Sequence, residues 1–237
     1  MNSWAEELLT ALEQAHTQQG VFATIEKAAK ALGFEQCAYG LRAPIPMSNP
    51  RVVMLNNYPK GWQERYSQAG YLQTDPTVQH CRKSQAPLIW SDQVFADAKE
   101  FWADAQSFGL KVGWAQSSLD AYGGGGMLTL CRSSEPLSKA ELEDKQMKMH
   151  WLANVAHTAM ARAITRAMRG DDHRPLTPKE TDILKWCADG KTSSEIAEIM
   201  AISVNTVNFH IKNATSKLRS ANKTAAVVRA AMLGLLG

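Results

Sequence analysis

No uncharged apolar run approaches the roughly 18 residues that a membrane-spanning helix needs. The opening "MNSWAEELLTALEQ" lacks the basic start and apolar block of a signal peptide. It is acidic and amphipathic, so a cytoplasmic protein is expected. Among the four cysteines, Cys37, Cys81, Cys131 and Cys187, no pair has metal-ligand spacing, and reduced thiols in or near cores are expected. The six histidines form no HxH or HxxxH pair, so no zinc site and no cofactor are expected. His150 and His157 are two helical turns apart, which suits one helix face. Internal repeats are absent. The one low-complexity spot, "GGGG" at 123–126, is followed by strand-like "MLTLCR" without a lysine, which suits a hairpin turn rather than a phosphate loop. Net charge is only +3, but its placement is uneven. No acidic residue follows Glu198, whereas Lys212, Lys217, Arg219, Lys223 and Arg229 do. That is a nucleic-acid footprint or a solvated basic helix, and charge alone does not separate the two.

The 237 residues suffice for one large or two ordinary domains. "RGDDHRP", 169–175, is charged, contains Gly and Pro and has no apolar period, which predicts a linker between residues 1–168 and 176–237. The first part opens with helical patterns at Trp4–His16 and Val21–Leu32. Strand-like runs follow: "QCAYGLRA", "RVVMLNN", "PLIW", "VGWAQSSL" and "GMLTLCR". Helical stretches at Trp62–Ala69, Thr77–Ser84 and Lys99–Phe108 lie between them. "SKAE" at 138–141 has the form of a capping box. It opens a long helix in which Leu142, Met149, Leu152, Val155, Ala156 and Met160 recur at helical spacing. The expected class is α+β, an α-β-α sandwich with a mostly antiparallel sheet, followed by an all-α four-helix domain.

In the second part "TPKE" at 177–180 supplies a Thr cap, a proline at the first helical position and a capping glutamate. Asp189-Gly190 ends that helix. "TSSE" caps a short second helix to Met200, "AIS" is a three-residue turn, and helices over Val204–Leu218 and Lys223–Leu235 follow. On the third helix Val204, Val207, Ile211, Ala214 and Leu218 form an apolar stripe. Asn205, Thr206, Phe209, Lys212, Asn213 and Ser216 point the other way. This suits a helix-turn-helix with its third helix in a major groove. Asn matches adenine, Lys matches guanine or phosphate, and an aromatic edge matches a thymine methyl. An ordinary helical hairpin with a stray surface Phe209 is the alternative.

"NNYPKGWQERYSQAGYLQTDPTVQH" places Tyr58, Trp62 and Tyr66 four residues apart, with Asp75 held out of helical geometry by Pro76. Trp90, Phe101, Trp102 and Trp114 follow. Aromatics around one acid describe a pocket for a small, largely apolar molecule. An indole N–H seeks a carbonyl, a buried carboxylate seeks an N–H, and a phenol can serve a second carbonyl. An aromatic-rich core without a ligand accounts for the same residues.

"LTPKETDILKWCADGKTSSEIAEIMAISVNTVNFHIKNATSKL" resembles the DNA-binding domain of LuxR-type transcription factors. "YPKGWQERYxxxxYLQTDPTV", "PLIW" and "FGLKVGW" resemble the autoinducer-binding domain of that family, and "YGLRAPIP" is similar to its long-acyl-chain receptors. The resemblance covers nearly the whole chain. It implies a quorum-sensing regulator for a long-chain N-acyl-homoserine lactone, with no catalytic residues. Trp62 would donate to the lactone carbonyl and Asp75 would accept the amide N–H. Tyr58 and Thr129 would hold the amide carbonyl. Tyr66 and Trp90 would wall the lactone, beside Thr77, Phe101 and Leu110. The implied DNA contacts are Thr192, Asn205, Thr206, Asn208, Phe209, Lys212, Asn213, Lys217 and Arg219, with Asn208 and Lys212 reading bases. Relatives often carry a basic residue at Asn208, Gly at Ala121 and Ser at Thr129. The implied partners are a second copy of the chain, docked through the long helix, a palindromic duplex and RNA polymerase. A lactonase or acylase would need a nucleophile and base or a metal cluster, which the histidine pattern does not offer. A receptor for a non-lactone signal is the other alternative, and relatives of that kind typically alter the positions of Trp62 and Tyr66, which this chain retains.

Overall fold

Cys37, Tyr39 and Leu41 alternate with Ala38, Gly40 and Arg42, and this period of two gives β1 (Gln36–Arg42) one fully buried face. The computed structural model describes residues 3–43, 46, 48–120, 124–169 and 174–237. Residues 170–173 of the expected linker, with His173 among them, lie outside the described residues, as do Pro44, Ile45, Ala121 and Gly123. The chain divides into two compact units, the first built of Met1–Ala43, Arg51–Asp120 and Gly124–Ala167 and the second chiefly of Met168–Gly237.

In the first unit, β2 (Val52–Asn56), β3 (Leu88–Ile89), β4 (Val112–Leu119) and β5 (Gly125–Arg132) join β1 in a five-stranded sheet of order β2-β1-β5-β4-β3. Every pairing is antiparallel. One face packs Cys37, Tyr39, Trp114, Leu128 and Leu130 against α1 (Ser3–Gln14), α2 (Gln18–Ala31) and α6 (Lys139–Arg169). The other face carries Cys131 and receives aromatic residues from α3 (Lys60–Gln68) and α5 (Lys99–Ser107). The short α4 (Pro76–Cys81) lies between these two in the chain. The sheet is thus buried on both sides, the sandwich expected from the alternating strands.

Two local expectations change. The strand expected from Gly126 begins one residue earlier, so Gly125 joins β5 rather than the turn. A Cβ on Gly126 would overlap His157 and the Tyr39 hydroxyl, and the space it leaves admits a 2.8 Å Tyr39–His157 Nδ1 hydrogen bond between sheet and α6. Ser138 Oγ accepts from the Glu141 N–H, but the Glu141 carboxylate turns to Arg132 and Lys145 instead of completing the cap. Two cations on one half-buried carboxylate outweigh a single backbone N–H. They hold the carboxyl down at about 2, with the Arg132 hydrogen bonds the largest cause.

The second unit contains α7 (Pro178–Ala188), α8 (Ser193–Ile199), α9 (Val204–Lys217) and α10 (Lys223–Met232). Thr177 and Thr192 head complete capping boxes with Glu180 and Glu195. Gly190 ends α7 in the left-handed conformation, as the Asp-Gly pair predicts. Helix α10 stops at Met232, three residues earlier than expected, where Gly234 turns left-handed. Ile183, Ile196, Ala197 and Val207 form one core cluster, and Leu184, Ala214, Leu218, Ala226 and Ala230 a second. Val204, expected in the buried stripe, is 40% exposed because it is the first residue of its helix.

Candidate functional sites

Helix α3 places Trp62 and Tyr66 on one face, as their spacing of four requires. Trp62 is 3% exposed. Its ring meets Tyr66 at 5.6 Å and Phe101 at 5.6 Å, both edge-on, and stacks on Tyr71 at 5.9 Å. Leu110 and Cys131 close the floor of this cluster, and Tyr58 packs at its margin. Phe95 links Phe101, at 5.7 Å, to Trp90, at 5.9 Å. Trp90 lies flat on β4 because Gly113 has no side chain there. Its indole N–H is buried without a hydrogen-bond partner among the described residues. A buried donor left unpaired is costly unless a ligand or water answers it.

Asp75 caps α4 and is 6% exposed. One carboxylate oxygen accepts from the Thr77 N–H at 2.8 Å and the Thr77 hydroxyl at 2.7 Å, and the other from the Tyr66 hydroxyl at 3.0 Å. Burial pushes the Asp75 carboxyl above its ordinary value, against the donors from Thr77 and Tyr66. Burial also drives the Tyr58 and Tyr66 phenols far upward, so both remain neutral donors. Thr129 shares its strand face with Cys131 and stands opposite Ala38 and Ala115 in the ladders, so small neighbours flank its hydroxyl. Further along that face, a Cβ on Gly40 would meet nothing within 4 Å, and Met54 and Met127 are its ladder partners.

Tyr58, Trp62, Tyr66, Asp75, Trp90, Phe101, Leu110 and Thr129 therefore share one side of the sheet, with Thr77 engaged in orienting Asp75. Trp114 does not join them. It lies on the opposite face, edge-on to His150 of α6 at 5.9 Å, because it alternates out of phase with Gly113 and Ala115. Trp102 belongs to the cluster's rim, stacked on Phe95 at 4.3 Å, with its N–H donated to Asp92. Tyr71, Phe95 and Phe108 were not expected. Gly70, left-handed, breaks the helical count between Tyr66 and Tyr71, so sequence spacing does not bring Tyr71 in.

In the second unit the outer face of α9 exposes Asn205, Asn208, Phe209 and Lys212, with Thr206 and Asn213 half-buried beside them. Phe209 is 60% exposed, edge-on to His210. Ser193 Oγ donates to Asn208 Oδ1 at 2.8 Å, which fixes that side chain from α8. The Thr192 hydroxyl is committed to Glu195. Arg219 is exposed and left-handed just past the end of α9. Lys217, expected to contact DNA, has internal partners. Its ammonium is held by Glu180 and the Pro175 carbonyl. Burial raises the Glu180 carboxyl, but the Lys217 ammonium and the Thr177 donors outweigh it and hold it below its ordinary value.

Residues 17–160 match the family model "Autoinducer binding domain", and residues 174–230 match "Bacterial regulatory proteins, luxR family". The chain is 44% identical to the transcriptional activator protein AnoR of Acinetobacter nosocomialis, each covered completely. It is 35% identical to the quorum-sensing regulator RhlR of Pseudomonas aeruginosa, over 98% of this chain and 96% of RhlR. The crystal structure of Escherichia coli SdiA superposes with a TM-score of 0.84 at 33% identity, covering 99% of this chain and 98% of SdiA. A structure of SdiA in complex with octanoyl-rac-glycerol gives a TM-score of 0.83, covering 99% and 96%. Among the described residues no helix is long and apolar enough to cross a membrane.

Proposed function

The chain belongs to the LuxR family of quorum-sensing transcriptional regulators, and from that premise we propose that it is a receptor for a long-chain N-acyl-homoserine lactone. Its relatives regulate transcription and are not enzymes, so it is a ligand-dependent, DNA-binding regulator. The observation that carries the ligand reading is Asp75, a carboxylate buried among aromatic rings and anchored by Thr77 and Tyr66. An acylated amino-lactone offers that carboxylate an amide N–H, and offers carbonyls to the Trp62 indole and to Tyr58 and Thr129. Trp90 walls the lactone and brings a further donor. The open space over Gly40, between Met54 and Met127, supports a long acyl chain laid along the sheet.

Binding orders the first unit, which pairs with a second copy through α6 and presents two α9 helices to a palindromic duplex in the cytoplasm, where RNA polymerase is the further partner. Asn208 and Lys212 read bases, and Asn205, Thr206, Phe209 and Asn213 line the groove. Arg219 lies against phosphate, while Thr192 is spent on Glu195. Lys217, spent on Glu180, is left out of that set.

A second reading, a non-lactone acylated ligand, draws on the SdiA complex with octanoyl-rac-glycerol. Melting the full chain with N-dodecanoyl-homoserine lactone and with octanoylglycerol separates the two, since a native-state ligand raises the melting temperature. Trp62→Phe keeps the ring and removes the N–H. It is expected to raise the half-maximal lactone concentration by roughly five- to 150-fold, from about 1–3 kcal/mol. An unchanged dose response overturns the assignment of Trp62. On DNA, Asn208→Ala and Lys212→Ala are expected to cost about 1–3 kcal/mol per half-site on the cognate palindrome and to spare scrambled duplexes.

A further inference from the structure

Trp62 on α3 and Phe101 on α5 are almost wholly buried, so parting these two helices is a direct way to open the aromatic site. Inside, these helices meet through aromatic edges, which separate without any specific polar penalty. Outside, one carboxylate joins them. Asp104 Oδ2 on α5 accepts from Arg65 Nε on α3 at 2.5 Å and from the Tyr71 hydroxyl at 2.6 Å. Arg65 Nη2 also reaches Glu100 at 3.1 Å and the Tyr71 oxygen at 3.3 Å. Among the described residues no other hydrogen bond joins α3 to α5. The Tyr71 ring connects this polar knot to the site: it stacks on Trp62 and stands edge-on to Phe101 at 5.0 Å.

We propose that Arg65, Asp104 and Tyr71 form a latch that sets how fast the acyl ligand exchanges, a positioning role outside the contact residues. The proposal rests on the lactone reading for the identity of the ligand, but not for the existence of the latch. Single exposed ion pairs contribute little, because water competes for each charge and two long side chains must be ordered. Here three segments share one carboxylate oxygen, so opening α3 from α5 breaks the whole knot at once. The barrier to opening lies on the path of both entry and exit. Loosening the latch therefore raises both rates and moves the equilibrium affinity less than either.

The test uses full-length protein loaded with radiolabelled N-dodecanoyl-homoserine lactone and chased with unlabelled lactone. Arg65→Met keeps the stem and loses the charge. Tyr71→Phe loses only the hydroxyl. Each is expected to release lactone roughly fivefold faster with a smaller change in half-maximal concentration. Raised salt should speed release from the wild type but not from Arg65→Met. Pairing Arg65→Asp with Asp104→Arg should recover part of the slow release, which loss of packing would not allow. Wild-type release rates in both single variants overturn the latch. If the wild type retains no lactone, the ligand reading fails, and hydrogen exchange of α3 and α5 amides in the ligand-free protein decides the latch separately. Faster exchange in Tyr71→Phe supports it, and unchanged exchange overturns it.

Discussion

The Lys217 ammonium lies 2.8 Å from Glu180 Oε2, and this carboxylate, 3% exposed, also receives the Thr177 N–H at the start of α7. One ion pair therefore ties the end of α9 to the first turn of α7. Lys217→Ala leaves Glu180 buried without its cation and is expected to cost about 3 kcal/mol in urea unfolding. The salt slope of DNA binding should stay as in the wild type, and a slope lowered by about one unit would return Lys217 to the phosphate contacts. Because the folded Glu180 carboxyl sits below its ordinary value, its stabilisation is complete above the unfolded glutamate pKa. It is lost as pH falls through the folded one. Lys217→Ala should accordingly flatten the acid limb of the stability curve.

Ala201 and Arg219 follow α8 and α9 in the left-handed region, with φ of 52° and 49°. The Ile202 and Ser220 N–H groups close these turns onto Ala197 and Thr215. A Cβ in this conformation costs about 1–2 kcal/mol, part of which glycine gives back in unfolded-state entropy. Ala201→Gly and Arg219→Gly should each stabilise the second unit by up to about 1 kcal/mol in denaturant melts. They should part company on DNA. Arg219→Gly should lower the salt slope by about one unit, and Ala201→Gly should leave it alone.

Asp75 joins a functional expectation to a cost in stability. Burial raises its carboxyl, so the folded state favours the protonated form, and its unfavourable contribution grows as pH rises through the folded pKa. Asp75→Asn keeps an acceptable cap on α4 and removes the buried charge. The ligand-free protein should become more stable by about 1 kcal/mol at neutral pH, while the lactone response weakens. Calorimetry paired with a reporter dose response tests both halves. Loss of stability together with an intact response would reverse the assignment.

Gly40 tests the acyl track. At Gly40 an added Cβ meets nothing within 4 Å, so Gly40→Leu starts its side chain into open space. It should fold, and it should penalise long chains more than short ones. Each displaced methylene costs about 0.8 kcal/mol, or roughly fourfold in half-maximal concentration. A uniform loss across a series of acyl lengths would mean that the chain runs elsewhere.

Much of the fold is written locally. The Thr-Pro-Lys-Glu and Thr-Ser-Ser-Glu caps, the Asp-Gly stop and the alternation of Cys37, Tyr39 and Leu41 each act within a few residues, where hydrogen-bond reach and side-chain period are fixed by the backbone. The spacing of Trp62 and Tyr66, and Pro76 holding Asp75 out of the helix, belong to the same class. What the sequence did not contain is partnership across distance. Trp114 resembles Trp90 in type and faces the other way, because strand phase is decided only when β4 pairs with β5. Tyr71 enters the cluster through a turn that resets the helical count. Lys217 looks like any basic residue at a helix end until Glu180, 37 positions earlier, is folded against it. Arg65 and Asp104, 39 positions apart, become neighbours only when α3 and α5 close over the same aromatic rings. Local propensity fixes which face of each element is apolar, while the choice of partner for a charge depends on which faces the packed core brings together.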